Sequence, residues 1–423
     1  MARGPQPPAR TLVGALDVGS SKISALIAEP GPEGTLNILG TGQRASRGVK
    51  RGYVADMAAC ETAIREAVEQ AERIAGTRIE KVFVGYSAGG MTSDIANVEV
   101  AIGGRQVGQK DVDALLDAGH LTIDPGQRIV LHAVPAFYTL DGLDGVRKPL
   151  GLHADRLAVD IHVVAATPAP IENLRHCVQS AYLGVEAIVA SPVAAGRSCL
   201  SEEERELGVA LVEFGAGVTN VSVFVAGQLA GIRSIAQGAG DIADDIASTF
   251  GTRRAEAERI MCRYGSASTS PRDNHEMVEL APIAGGQDGV ESARITRAEL
   301  VAVIRRRLEN WTGEVAAALK QLGYAGPHGR QVVVTGGGAE LKGIADYLQG
   351  ALGRTVRVGR PIMAGLPEAH SGPRFATLAG LAQFAASDEL DLGSRFRPPS
   401  QAGQRPTSSG VLGRLISAFK SGY

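Results

Sequence analysis

A strand that ends in an acidic residue and turns back through glycine occurs twice in this chain, nearly two hundred residues apart. The first copy is Leu16-Asp17-Val18-Gly19-Ser20-Ser21-Lys22, and the second is Glu213-Phe214-Gly215-Ala216-Gly217-Val218-Thr219. Each lies between runs rich in β-branched and apolar residues, the pattern of a tight hairpin. Two such copies in one chain imply a duplicated, two-lobed α/β fold. A third glycine turn, Val334-Thr335-Gly336-Gly337-Gly338-Ala339, follows another apolar run and leads into a helical pattern.

The three turns share a chemistry. Main-chain N–H groups in a tight glycine turn can cradle phosphate, and a carboxylate at the strand end can hold Mg2+ through water. Asp17 and Glu213 are the candidates for that carboxylate. A glycine run before a helix lets backbone approach a nucleotide, and a helix N-terminus favours an anion. One Asp-x-Gly hairpin is usually only a hairpin; three turns in this order point to nucleotide binding.

The 423 residues are too many for one simple core, and 54 glycines suit a fold of many tight turns. A net charge of −2 gives no basis for nucleic-acid binding. Cys60, Cys177, Cys199 and Cys262 form no CxxC pair, so free thiols in a reducing cytosol are expected and a zinc site is not. No apolar run reaches membrane-spanning length, and the Pro-rich, basic start reads as a tail without a signal pattern.

Residues 56–75 have the spacing of an amphipathic helix capped by Asp56, with Ala59, Ala63, Ile64, Ala67, Val68 and Ala71 recurring at helical spacing. Residues 82–161 change character: short strands surround one helix near QKDVDALLDAGHL, as in a small α+β insertion. Residues 169–184, 239–264, 296–322 and 375–386 read as helices. Glu202, Glu203 and Glu204 read as a solvated charge run, and no residue stands out as a general base. Residues 387–409 read as a flexible linker.

The chain closes with GVLGRLISAFKSGY. At about 100° per residue, Val411, Leu412, Leu415, Ile416, Phe419 and Tyr423 fall within roughly 140° of arc. Arg414 and Lys420 lie on the other side. The segment suits an interfacial membrane anchor whose basic residues meet anionic headgroups, or a helix that packs in a protein groove.

Nearly all of residues 11–386 resembles the FtsA family of bacterial cell-division proteins, within the actin, heat-shock chaperone and sugar-kinase ATPase superfamily. The stretches that carry the resemblance include ALDVGSSKISALIAE, RGYVADMAACETAIREAVEQAE, LHAVP, KPLGL, GDIADDIASTFGTRRAEAERI and VVVTGGGAEL. It implies an actin-like two-lobe ATPase fold with the FtsA-type subdomain 1C inserted at 82–161. Lobe 1 (1A) is then 11–81 with 162–196, and lobe 2 (2A) is 197–250 with 330–386. Subdomain 2B is 251–329, residues 1–10 are a tail, and 410–423 are a membrane-targeting helix.

The resemblance further implies ATP and Mg2+ in the cleft. Asp17, Gly19, Ser20, Ser21 and Lys22 fall at the first phosphate turn. Glu213, Gly215, Gly217, Val218 and Thr219 fall at the second, Gly336, Gly337 and Gly338 at the adenosine turn, and Glu258 near the ribose. The family usually has Asp where this chain has Glu213, and a lysine where it has Met261. Those departures bear on metal geometry and nucleoside affinity; because no general base stands out, weak or conditional ATP hydrolysis is expected. The implied function is to tether FtsZ filaments to the inner face of the cytoplasmic membrane at the division site, and to help recruit later division proteins, by ATP-linked self-assembly. The FtsZ C-terminal tail would meet subdomain 2B, with Arg305, Arg306 and Arg307 as candidate contacts. A soluble ATPase of the superfamily, a PilM-type pilus-assembly protein and an MreB-type filament are the competing readings.

Overall fold

The computed structural model describes residues 12–32, 35–281, 293–324, 331–387 and 390–396. The chain begins with three antiparallel strands, β1 (Val13–Val18), β2 (Lys22–Pro30) and β3 (Leu36–Ala45). A two-residue ribbon, β4 (Val49–Lys50) and β5 (Tyr53–Val54), leads to helix α1 (Met57–Ala75) and strand β6 (Lys81–Tyr86). Asp56 caps α1 by accepting from Ala59 N–H at 3.1 Å.

The inserted unit follows: β7 (Thr92–Ala101), α2 (Gln109–Thr122), β8 (Ile129–Leu140), β9 (Leu143–Val146) and β10 (Arg156–Ala166). Its sheet runs β7-β10-β8-β9, entirely antiparallel, with α2 contributing Val112, Leu115 and Leu116 to its core. The sequence places the start of the insertion at 82. That boundary shifts, because β6 belongs to the first lobe, parallel to β1. The chain returns through α3 (Pro168–Ser180), β11 (Gly184–Ala190) and α4 (Ser191–Cys199). The helix expected over 169–184 therefore stops short, and GVEAIVA is a strand whose β-branched residues settle between β6 and solvent-shielding helices.

The second lobe opens with α5 (Glu202–Leu207) and the strands β12 (Val209–Phe214), β13 (Thr219–Val225) and β14 (Gln228–Ile235). Helices α6 (Ala239–Phe250) and α7 (Arg254–Tyr264) come next, separated at Gly251 in the left-handed conformation. A two-strand ribbon, β15 (Met277–Leu280) with β16 (Ala293–Thr296), precedes α8 (Arg297–Gln321). Then come β17 (Gln331–Thr335), α9 (Ile344–Leu352), β18 (Thr355–Val358) and α10 (Ala376–Ala385).

The two lobe sheets have one topology. The first is ordered β11-β6-β1-β2-β3 and the second β18-β17-β12-β13-β14. In each, an antiparallel meander is extended on one side by two parallel strands. Helices cover both faces, which is why strands such as VALVEF and QVVVT are mostly apolar and buried along nearly their whole length. In lobe 1, α1 and α3 cover one face, and in lobe 2, α6, α8 and α9 cover one face.

Helices α4 and α10 lie between the lobes. Phe375, Leu378, Leu381 and Ala382 pack with Val13, Ala15 and Leu26 of the first sheet. Residues 375–386, placed in lobe 2 by the sequence, thus belong to the lobe 1 core. Ala195 and Cys199 of α4, with Leu200 just after it, pack on Val209, Leu211 and Phe224 of the second sheet. The two helices touch backbone to backbone: a Cβ on Gly380 would lie 1.8 Å from Ala194 O.

Two acidic segments depart from their sequence reading. Glu204 is no solvated charge, since its carboxylate accepts from Arg357 at 2.6 and 2.7 Å and from Gln331 at 2.7 Å, tying α5 to β17 and β18. Residues 390–396, placed in the linker, form a 3-10 turn docked on the inserted unit. Leu392 is buried among that unit's apolar residues, and Asp391 Oδ1 accepts from Ala133 N–H at 2.9 Å. His132 Nδ1 lies 2.7 Å from Asp391 Oδ2, while Ala190 N–H donates to His132 Nε2 at 2.9 Å. The ring proton is therefore on Nδ1. Phe396 packs against the His120 ring and Arg395 pairs with Asp117, both on α2. These scattered contacts have no period that the sequence could show.

Candidate nucleotide cleft

Asp17 ends β1 and Lys22 starts β2. The turn between them closes where Gly19 N–H donates to Lys22 O at 3.0 Å. The second hairpin repeats this, with Gly215 N–H donating to Val218 O at 3.0 Å. Registers match as well: Asp17 pairs with Ser24 across its hairpin, and Glu213 with Asn220 across the other. The tips face each other, for a Cβ on Gly217 would lie 3.0 Å from Ser20 Oγ and 2.9 Å from Arg51 Cα. Ser20 Oγ accepts from Gly52 N–H at 2.9 Å, and Ser21 is exposed. Arg51 crosses to the other lobe, donating to Ala236 O and to Asp241 Oδ1, each at 3.0 Å.

The first turn carries two ionisable groups out of their ordinary ranges. Burial raises Asp17 to about 6, with Lys22 opposing and nearby Glu213 reinforcing the rise. Burial lowers Lys22 to about 8, with Asp17 opposing and Arg374 reinforcing the fall. The Lys22 ammonium is buried, sits 3.4 Å from the centre of the Phe375 ring and has no hydrogen-bond partner among the described residues. Ring faces attract cations, but a ring contact leaves an ammonium's N–H donors without a hydrogen-bond acceptor.

The second turn differs inside its matching backbone. Glu213 is buried, and both carboxylate oxygens are engaged. Oε2 accepts from Ser191 Oγ at 2.7 Å and from Asn220 Nδ2 at 2.8 Å, and Oε1 from Thr377 Oγ1 at 2.5 Å. Asn220 also donates to Ser87 Oγ at 2.9 Å. Thr219 is fully buried, its hydroxyl donating to Gln237 O at 2.8 Å and accepting from Trp311 Nε1 at 2.9 Å. Its side chain therefore braces the turn, and Val218 is buried beside it. Helix α6 starts against the same turn, with Ala239 and Gly240 N–H donating to Gly215 O and Ala216 O at 2.9 and 2.7 Å.

At the third turn Gly336 has φ 87°, and Gly336 and Gly338 lie against Phe214. A Cβ on Gly338 would sit 2.3 Å from the ring, which is stacked on Trp311 at 3.9 Å. Gly337 has open space around its Cβ position. The turn continues into a 3-10 turn, Gly337–Glu340, and not directly into a helix. Glu258, on α7, is half exposed and pairs with Arg254 at 3.1 Å. Glu340 pairs with Arg374 at 2.7 Å. Ser87, Arg51, Ser191, Asn220, Thr377 and Phe375 were not singled out from sequence. Only Asn220 carries a signal, since it stands where Ser24 stands in the first hairpin.

Arg305, Arg306 and Arg307 do not share a face. Successive helical residues are about 100° apart. Arg305 and Arg306 line a groove of about 700 Å³ with Ser270, Asn274 and Tyr347. Arg305 also donates to Ala267 O at 2.7 Å. Arg307 points elsewhere, donating twice to Asp245 at 2.6 Å. The terminal residues Val411, Leu412, Arg414, Leu415, Ile416, Phe419 and Lys420 lie outside the described residues. Among the described residues, no helix is long and apolar enough to cross a membrane.

Comparison with known proteins places these features in a family. Residues 210–380 match the family described as cell division protein FtsA, and residues 89–165 match the SHS2 domain inserted in FtsA. Cell division protein FtsA of Agrobacterium fabrum is 35% identical over 402 residues, covering 92% of this chain and 90% of the relative. Its counterpart from Escherichia coli K12 is 30% identical over 387 residues, covering 90% and 92%. A PilM–PilN type IV pilus biogenesis complex has a chain of similar fold, with TM-score 0.61 and 18% identity over 90% of this chain and all of that one. MreB 5 of Spiroplasma citri bound to AMPPNP has TM-score 0.51 and 14% identity, covering 89% and 96%. These two likenesses show the actin-like ATPase fold. The full-length similarity to curated relatives goes further: this chain belongs to the FtsA family of cell division proteins.

Proposed function

We propose that the chain is an ATP- and Mg2+-binding division protein that tethers FtsZ filaments to the inner face of the cytoplasmic membrane. The observation that carries its nucleotide part is the pair of register-matched hairpins meeting tip to tip, with an unpartnered Lys22 ammonium between the lobes. Lys22 and the turn amides at Ser20–Ser21 and Ala216–Gly217 would hold phosphates. Asp17 fits a water-mediated Mg2+, which would screen phosphate charge when bound. Gly336, Gly337 and Gly338 suit the nucleoside, with Glu258 toward the ribose. ATP then serves as an assembly ligand, with hydrolysis weak or conditional.

The groove beside Arg305 and Arg306 suits the FtsZ C-terminal tail, since guanidinium groups recognise carboxylates in a peptide. The basic amphipathic end of the chain suits anionic lipid. One short helix binds weakly, and self-assembly into a polymer would array many and add avidity. Later division proteins would be recruited to that array at the division site.

Liposome co-sedimentation tests the tether. The full chain and a version ending at Ser409 are spun with anionic vesicles, with and without ATP and an FtsZ tail peptide. Only the full chain should pellet, carrying the peptide with it. If both versions stay soluble, or both pellet alike, the terminal segment is not the anchor.

A further inference from the structure

Glu213 does not fit the metal-side role that its place in the hairpin suggests. The residue is only 8% exposed, and both carboxylate oxygens already accept hydrogen bonds. Those donors come from both sides of the hinge. Ser191 is the first residue of α4 and Thr377 the second of α10, the two helices between the lobes, while Asn220 is on β13 of the second lobe. Asn220 in turn reaches Ser87 beyond β6 of the first lobe.

We infer that Glu213 is a clasp that holds the two lobes together at their hinge, leaving Asp17 as the metal-side carboxylate of the cleft. Two helix starts converge on this anion, and helix N-termini favour negative charge. Length is the decisive property. An aspartate on the same β12 backbone would be one methylene shorter and could not meet the starts of α4 and α10 together. The glutamate thus joins Ser191 and Thr377 to β12. Removing it would leave several buried donors without an acceptor, which is unfavourable in a water-poor site.

The inference about Asp17 rests on the proposed nucleotide cleft; the clasp itself does not. The test uses the full chain and its Glu213→Asp, Glu213→Gln and Asp17→Asn variants. Amide hydrogen exchange without nucleotide reads the clasp at residues 191–194 and 376–380. Glu213→Asp, which keeps charge and loses reach, should speed exchange there about ten-fold or more, and Glu213→Gln, which keeps reach, should speed it less. Binding of a fluorescent ATP analogue, with and without MgCl2, reads the metal. Glu213→Gln should keep the gain from Mg2+, and Asp17→Asn should lose it.

Hinge exchange unchanged in both Glu213 variants would overturn the clasp. A loss of Mg2+ gain in Glu213→Gln as complete as in Asp17→Asn would return Glu213 to the metal. If the wild-type chain binds no analogue at all, the nucleotide reading falls, and the exchange comparison still decides the clasp.

Discussion

Lys22 and Val218 stand at the same place in two hairpins closed by the same 3.0 Å bond, and only one of them carries charge. The backbone is duplicated, but the chemistry is divided. The first turn offers an ammonium and a carboxylate to the cleft. The second offers backbone amides, while its side chains are turned to internal bonds.

That division sets a pH window for nucleotide binding. Phosphate needs Lys22 charged, and Lys22 loses its proton near 8. A water-held metal needs Asp17 ionised, and Asp17 gains a proton near 6. Affinity for Mg·ATP should be greatest between these values and fall on both sides. Lys22→Ala should weaken binding about ten-fold or more and remove the alkaline limb. The signs also hold for folding. Asp17, raised, contributes stability at low pH that is lost as pH rises through about 6. Lys22, lowered, contributes at high pH, and that is lost as pH falls through about 8. A fluorescent-analogue titration from pH 5 to 9 measures the window; an affinity flat across that range removes both groups from the site.

The glycines of the third turn are not equivalent. Gly338→Ala drives a methyl into the Phe214 ring and should destabilise the protein by about 1–3 kcal/mol. Gly337→Ala meets nothing within 4 Å and should leave thermal stability within about 0.5 kcal/mol. Denaturant melts of the two variants should therefore separate clearly. Equal midpoints would mean that Phe214 can move aside freely.

Arg306 and Arg307 should separate in the same way between binding and stability. Arg306→Ala should weaken FtsZ tail-peptide binding and leave the melt unaltered. Arg307→Ala removes a two-bond pair with Asp245 and should lower stability by about 1 kcal/mol with peptide affinity retained. Fluorescence anisotropy with a labelled peptide, beside a melt, reads both. Peptide affinity lost only in Arg307→Ala would move the contact to the other side of α8.

The hairpins were legible because they are local: an acidic strand end, a glycine and a polar tip lie within seven residues. The α1 face was legible because its period is regular. Glu213's partners were not, since Ser191 and Thr377 are brought to it by helices that begin 22 residues before and 163 residues after it. Nothing near Thr377 in sequence announces a carboxylate. Nor does the apolar pattern of 375–386 say which sheet it will cover, because both sheets offer the same kind of face. Consecutive arginines looked like one patch in a string of letters, and the helical turn pulled them apart.

Asp391→Ala should free residues 390–396 from the inserted unit. His132 Nδ1–H and the Ala133 and Gly393 N–H groups would lose their acceptor, at a cost of about 1–3 kcal/mol. Limited proteolysis after Arg395 should become faster in this variant. Cleavage at the wild-type rate would show that Leu392, Phe396 and the Arg395–Asp117 pair hold the segment without Asp391.

The position of that docked segment also determines where force would enter the molecule. Anything that pulls on the chain beyond Phe396 loads the inserted unit first, through Phe396 and Arg395 on α2 and then through Leu392, Asp391 and His132, before tension reaches α10. Because His132 is bonded to the end of β11, just before α4, the load path runs from the C-terminal end into the hinge. A tug on the far end of this chain would be felt where the two lobes meet.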